Sequence, residues 1–170
     1  HALKIALDIL ESKGVDKIIW LGDVVEKGFD GDTCVETLQN WLIPCVQGNH
    51  DEIAISNQTD FDDDLRWHPL KPSSLTYLET LPLTRYYSWN GIRILMCHGS
   101  PENAWEYISP KYASKKRFTQ IANSSDADII LCGHTHHPMD ITRSQVRFIN
   151  PGSLCGTHTR GSRTCAILTL

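Results

Sequence analysis

The sequence lacks several signals that would narrow its function at once. Its six cysteines include no C-x-x-C pair, which excludes a zinc ribbon or a thioredoxin-like motif. No apolar run approaches the ~20 residues of a membrane-spanning helix, and no signal peptide is expected. Positive charge is not in excess. Lys and Arg number 16 against 20 Asp and Glu, and the net charge of −4 argues against a surface built to coat nucleic acid. There is no repeat, no low-complexity tract and no linker. These absences leave a soluble, cytoplasmic protein with no membrane association and no stable nucleic-acid partner as the expectation.

What is present suits one globular domain over residues 1–170. A chain of 170 residues with 41% apolar residues can bury a real core. Cys45, Cys97, Cys132 and Cys165 lie in or beside apolar runs and read as small buried thiols of a reducing compartment. Eight histidines are many for this size, and several stand beside Gly, Asn or Asp.

The apolar pattern alternates between helix and strand. Leu3, Ala6, Leu7 and Leu10 mark one face of a helix over His1 to Lys13. Lys17 to Leu21 is short, β-branched and bounded by Gly22, and predicts a buried strand. Asp32 or Thr33 is placed to cap a helix through about Trp41, and Ile43 to Val46 predicts a second strand. Asn57 to Pro72 is a polar loop with an acidic cluster at Asp60, Asp62, Asp63 and Asp64. Ser73 or Ser74 begins a short helix to Leu81. Arg85 to Trp89 and Ile92 to Cys97 flank Asn90-Gly91, a strong hairpin signal. Lys111 to Ala122 reads as helix. Ile129 to Cys132, Met139 to Arg143, Val146 to Ile149 and Cys165 to Leu170 read as strands. This order points to the α/β (α+β) class with crossover helices.

Four predicted strands end in polar clusters: Gly22-Asp23, Gly48-Asn49-His50-Asp51, His98-Gly99 and Gly133-His134-Thr135-His136. Ligands in open α/β sheets collect at the carboxyl ends of strands. Each cluster alone has an ordinary reading as a cap, a turn or a hydrogen-bonded histidine. Together they form a set suited to divalent ions, because carboxylate, imidazole and amide oxygen are all metal donors. Two ions about 3.5–4 Å apart can clamp the attacking and leaving oxygens of phosphoryl transfer.

The ordered segments GDVVEKG, GNHD, CHGSP, GHTH and NPGS resemble those of the calcineurin-like metallophosphoesterase family. Within it they are most similar to the small bacterial branch related to diadenosine tetraphosphatases and phosphodiesterases. The resemblance runs from His1 to Leu170. It implies a four-layer fold, two mixed β-sheets sandwiched between helices. It implies Asp23 as a carboxylate bridging two metals, with Asn49, His98 and His134 completing one site and His136 the other. His50 would be the general acid for the leaving oxygen and Asp51 would orient it. Gly152 and Ser153 would form a turn that supports the site. The implied cofactors are two divalent ions, Mn²⁺ first, with Fe, Zn, Co or Ni also suited. The implied activity is attack of a hydroxide held between the metals on a phosphomonoester or phosphodiester, in a nucleotide-type or phosphoprotein substrate.

One departure stands out. The family's first motif, Asp-x-His on the first strand, occurs nowhere in this chain. The domain is therefore expected to be incomplete at its N-terminus, its first strand missing. The alternative is a degenerate fold used as a non-catalytic protein-interaction scaffold. Outside the motifs, Arg160 is a candidate for binding substrate phosphate, with Arg163 and His158 nearby. Lys111, Lys115, Lys116 and Arg117 read first as a solvated basic face. Trp105 and Tyr107 read first as packing and second as a platform for a nucleobase.

Overall fold

A computed structural model describes residues 2–25, 30–56, 69–156, 161 and 163–170. His1, Gly28, the acidic cluster Asp60 to Asp64, His158 and Arg160 lie outside the described residues.

Ten elements follow in order: α1 (Ala2–Ser12), α2 (Gly31–Asn40), α3 (Asn49–Ser56), α4 (Pro72–Glu79), β1 (Thr84–Trp89), β2 (Ile92–Cys97), α5 (Lys115–Ser124), β3 (Ile129–Leu131), β4 (Met139–Arg143) and β5 (Val146–Asn150). The five strands form one mixed sheet in the order β1-β2-β3-β5-β4. The outer pairs are antiparallel, and β2, β3 and β5 run parallel. This is an α/β architecture, a mixed sheet with flanking helices.

The sheet is buried on both faces because β2 is apolar from Ile94 to Cys97. Leu95 and Cys97 face Phe118 and Ile121 of α5, while Ile94 and Met96 pack with Ile19, Leu21 and Val46. Continuous apolar strands are what a doubly covered sheet requires. A further cluster joins α1 to α2 through Leu3, Leu7, Val35 and Leu38. The β1–β2 hairpin turns at Asn90-Gly91 with φ of 52° and 78°, as the sequence predicts. Ser114 caps α5 by accepting a hydrogen bond from the Arg117 N–H at 3.2 Å.

Several predicted elements differ. Lys17 to Leu21 and Ile43 to Val46 are not ladder strands but meet in one parallel bridge, Trp20 with Cys45. Pro44 has no N–H to donate and shortens that pairing. Cys165 to Leu170 forms no ladder, although Leu168 packs against the sheet cluster; Cys165 itself is exposed, not buried. Residues 49–51, read as a turn, open α3. Asp32 does not cap α2. Its carboxylate accepts from the Lys71 N–H at 2.9 Å and the Ser74 hydroxyl at 2.5 Å. The helix expected from Ser73 starts at Pro72, where a missing N–H costs nothing.

An open cleft of about 1030 Å³ lies between α1 and the sheet, floored by apolar Ile19, Leu131 and Ile149. Asp23, His98, His134 and His136 line it too. Among the described residues, no helix is long and apolar enough to cross a membrane.

Candidate metal centre

Parallel strands deliver their carboxyl ends to one edge of the sheet. His98 follows β2, Gly133-His134-Thr135-His136 follows β3, and Asn150 ends β5. The loop after Trp20 brings Asp23 to the same edge, and the first turn of α3 brings Asn49 and His50. Asp23, His134 and His136 each hold a left-handed backbone, with φ of 53°, 59° and 60°. Such conformations cost about 1–3 kcal/mol each in non-glycine residues and gather at functional sites. Gly48 allows the closest approach: a Cβ there would overlap the backbone N and the carboxylate of Asp23.

Four donor atoms converge. Asn49 Oδ1 is 3.0 Å from His98 Nε2 and 2.8 Å from His134 Nδ1. Asp23 Oδ2 is 3.1 Å from the same His98 Nε2. The tautomer of His98 gives these distances their meaning. Its Nδ1 is 2.6 Å from the Leu21 carbonyl and must donate to it, so neutral His98 turns a lone pair on Nε2 toward two oxygen lone pairs. A second proton on His98 or a cation resolves that conflict. Asp23 Oδ2 and His134 Nε2 are buried without a hydrogen-bond partner. Donors at right angles around an ion at roughly 2.1 Å stand about 3.0 Å apart, so the spacing fits one divalent ion. Among the His, Cys, Asp and Glu side chains of the described residues, Asp23, His98 and His134 present ligand atoms within 4.8 Å of one another.

Electrostatics agree. Burial pushes the Asp23 carboxyl up, but the adjoining imidazoles of His136 and His98 and the positive charge of His98 and His50 outweigh it and hold it far below the usual carboxylate range. Burial pushes His98 down, but the hydrogen bond and charge of Asp23 lift it above its ordinary value. Burial and the charge of His98 push His134 down to about 4, so its imidazole is neutral and free to ligate near pH 7.

The other expected residues are placed unequally. His136 Nε2 is 4.0 Å from Asp23 Oδ2, outside the tight cluster. The His50 backbone N–H donates to Asp23 Oδ1 at 3.0 Å, and its ring is half-buried. The sequence reading assigns Asp51 to orient His50. In the structure its carboxylate accepts from the N–H groups of Val24 at 2.8 Å, Val25 at 3.2 Å and Gly48 at 2.8 Å. Asp51 thus clamps the Asp23 loop to the start of α3. Burial and the charge of Asp23 push its carboxyl up to about 7, against the N–H groups of Gly48 and Val25. Asn150 donates from Nδ2 to the Gly133 carbonyl and the Thr135 hydroxyl, and accepts from the Gly152 N–H at 2.8 Å. That contact ties the NPGS turn to the GHTH loop. His137 is exposed. Arg163 lines the cleft and is exposed.

Sequence reasoning undervalued two features. Trp105 and Tyr107 are 47% and 50% exposed rather than packed away. Arg117 is no solvated cation, since it pairs with Glu106 at 2.6 Å and Glu102 at 2.8 Å. An alternation of small and aromatic residues after His98 was the available signal for the first; nothing local announced the second.

Comparison with known proteins agrees with this geometry. The profile of the calcineurin-like phosphoesterase superfamily domain matches residues 1–170. An uncharacterized protein of Methanocaldococcus jannaschii is 29% identical over 148 residues, which cover 81% of this chain and 58% of that protein. The chain thus spans little more than half the length of this curated relative. A metallophosphoesterase from Sphaerobacter thermophilus superposes with a TM-score of 0.69 at 27% identity, covering 91% of this chain and 73% of that one. Vacuolar Protein Sorting 29 from Cryptosporidium parvum shares the fold, with a TM-score of 0.52 at 19% identity over 86% of this chain and 62% of that one.

Proposed function

We propose that this chain, which belongs to the calcineurin-like phosphoesterase superfamily, is a metal-dependent hydrolase of phosphomonoesters or phosphodiesters, with a nucleotide-type or phosphoprotein substrate. The observation that carries the reading is the convergence of Asp23 Oδ2, Asn49 Oδ1, His98 Nε2 and His134 Nδ1 through contacts of 2.8–3.1 Å, a set of metal-donor atoms at the spacing one ion would take. These four would hold one divalent ion, and Asp23 with His136 would contribute to a second. Divalent ions, Mn²⁺ first and Fe, Zn, Co or Ni by the same donor chemistry, would supply Lewis acidity toward the phosphoryl oxygens and acidify a nearby water.

The chain's own groups complete the chemistry. The Leu21 carbonyl fixes the His98 tautomer so that Nε2 faces inward. Asp51 holds the Asp23 loop against α3, a positioning role. His50, whose backbone is anchored to Asp23, would act as general acid. In hydrolysis, water adds to phosphorus and the bond to the leaving oxygen breaks. That oxygen takes a proton from the imidazolium of His50, which solvent restores. The free thiols, three of them fully buried, suit a reducing cytoplasmic setting.

A second reading, a phosphoesterase fold serving as a non-catalytic interaction scaffold, draws on the absence of an Asp-x-His motif from this sequence. One assay separates the two. The full-length protein is given bis(p-nitrophenyl) phosphate and p-nitrophenyl phosphate with Mn²⁺. The enzyme reading expects turnover that falls about 100-fold or more in Asn49→Ala and His98→Ala. Absence of metal-dependent turnover in the parent would favour the scaffold.

A further inference from the structure

Beside the metal-ligating cluster stands a set of aromatic side chains that the chemistry above leaves unused. They belong to the segment that follows His98, and that segment is firmly anchored. Ala104 and Ile108 are buried. Arg117 of α5 reaches Glu106 at 2.6 and 2.8 Å and Glu102 at 2.8 Å. Gly99 lies so close beneath the loop that a Cβ would come within 2.8 Å of the carbonyl oxygens of Asn103, Ala104 and Glu106. On this rigid base the aromatic residues point outward: Trp105, Tyr107 and Tyr112 are 47%, 50% and 52% exposed.

Their placement is specific. The Tyr107 ring centroid is 4.2 Å from that of His134, and 5.2 Å from that of Tyr112. Lys111 Nζ lies 4.9 Å over the Tyr112 ring. The Trp105 indole N–H donates to Glu52 Oε2 at 2.7 Å, which fixes that ring against α3 two residues beyond His50. Isolated exposed aromatics are ordinary. Three on one anchored segment, one of them against a ligand imidazole and another beside a cation, form a surface that the fold does not require. Aromatic faces next to a basic group suit a planar ring that carries negative charge nearby.

We propose that Tyr107 and Tyr112, adjoining His134 and flanked by Lys111, are the subsite for a planar aromatic group carried by the phosphoester, a nucleobase or an aryl ring. The identity of the phosphoester partner rests on the phosphoesterase reading above, whereas the stacking itself needs no turnover. Base–aromatic stacking contributes about 1–3 kcal/mol per base, roughly a 5- to 150-fold effect on affinity.

Equilibrium binding to the full-length protein without added metal provides the test. Calorimetry would compare adenosine 5′-monophosphate, phenyl phosphate and ribose 5-phosphate for the parent, Tyr107→Leu and Tyr107→Phe. The parent is expected to bind adenosine 5′-monophosphate about tenfold or more tightly than ribose 5-phosphate. Leucine at 107 should remove most of that preference while the affinity for ribose 5-phosphate holds, and phenylalanine should retain it. Phenyl phosphate matching the nucleotide assigns the site to any planar ring; phenyl phosphate matching ribose 5-phosphate assigns it to a nucleobase. Equal binding of nucleotide and ribose phosphate by the parent, binding of neither at millimolar concentration, or an undiminished preference in folded Tyr107→Leu would overturn the proposal. A base preference in a protein that hydrolyses no phosphoester would overturn the enzyme reading instead and leave this one standing.

Discussion

Asp51 offers the sharpest mutational consequence of the site's construction. Its side chain is fully buried at the join between the loop carrying Asp23 and the helix carrying Asn49 and His50. Three backbone N–H groups donate to it, those of Val24, Val25 and Gly48. In Asp51→Ala all three lose their acceptor in a place closed to bulk water. A buried donor left unsatisfied costs about 1–3 kcal/mol, and the three costs overlap as the loop relaxes. Removing a buried carboxylate beside Asp23 returns part of that, since burial and Asp23 both oppose its charge. The net expectation is a loss of about 3 kcal/mol, a large share of the roughly 5–15 kcal/mol that holds a typical domain together. Asp51→Asn keeps Oδ1 for Val24 and Val25 but turns an NH₂ donor onto the Gly48 N–H, so the loss should be about 1–2 kcal/mol. Urea unfolding at neutral pH, followed by tryptophan fluorescence, would rank parent above Asn above Ala with similar m-values. Stability of Asp51→Ala within about 0.5 kcal/mol of the parent, or an Asn variant weaker than Ala, would refute the clamp.

Three further outcomes follow from the same geometry. Gly48→Ala drives a methyl group into the Asp23 backbone and carboxylate, so bound Mn²⁺ measured by elemental analysis should fall sharply while the far-ultraviolet circular dichroism stays helical. Arg117→Ala frees Glu102 and Glu106 from a pair of ion contacts and should cost on the order of 1 kcal/mol near pH 7. Arg117 holds the Glu106 carboxyl below its ordinary 4.5, so that stabilisation is present above pH 4.5 and lost as pH falls through the lowered folded value. The difference in Tm between parent and variant should therefore shrink in acid, and a constant difference would contradict the pairing. Phe118 meets Phe148 edge to face at 5.0 Å in the core, and Phe118→Ala should cost about 3–5 kcal/mol in chemical denaturation.

Much of this was legible before any coordinates. Asn90-Gly91 announced its hairpin because only certain residues accept two successive left-handed conformations. The clusters at the ends of β2 and β3 were legible because parallel strands must deliver their ends to one edge, whereas the turn after β5 was implied only by resemblance. Lys17 to Leu21 looked like a strand because its composition is that of one, yet composition says nothing about a neighbour to pair with, and only Trp20 found one. The start of α3 was hidden because Gly, Asn and Asp favour turns locally, while the tertiary bonds of Asp51 favour the helix. Asp51 itself was assigned to a side-chain partner by resemblance, whereas its distant backbone partners could be known only from the fold. Trp105 and Tyr107 were undervalued because exposure is a property of packing, not of residue type.

The central claim is that Asp23, Asn49, His98 and His134 share one divalent ion, and titration of the full-length protein with Mn²⁺, followed by electron paramagnetic resonance, tests it most directly. Bound Mn²⁺ should appear in the parent and weaken about 10-fold or more in His98→Ala and His134→Ala, with both variants still folded. Mn²⁺ bound equally well by the parent and by both variants, or by none of the three, would contradict it.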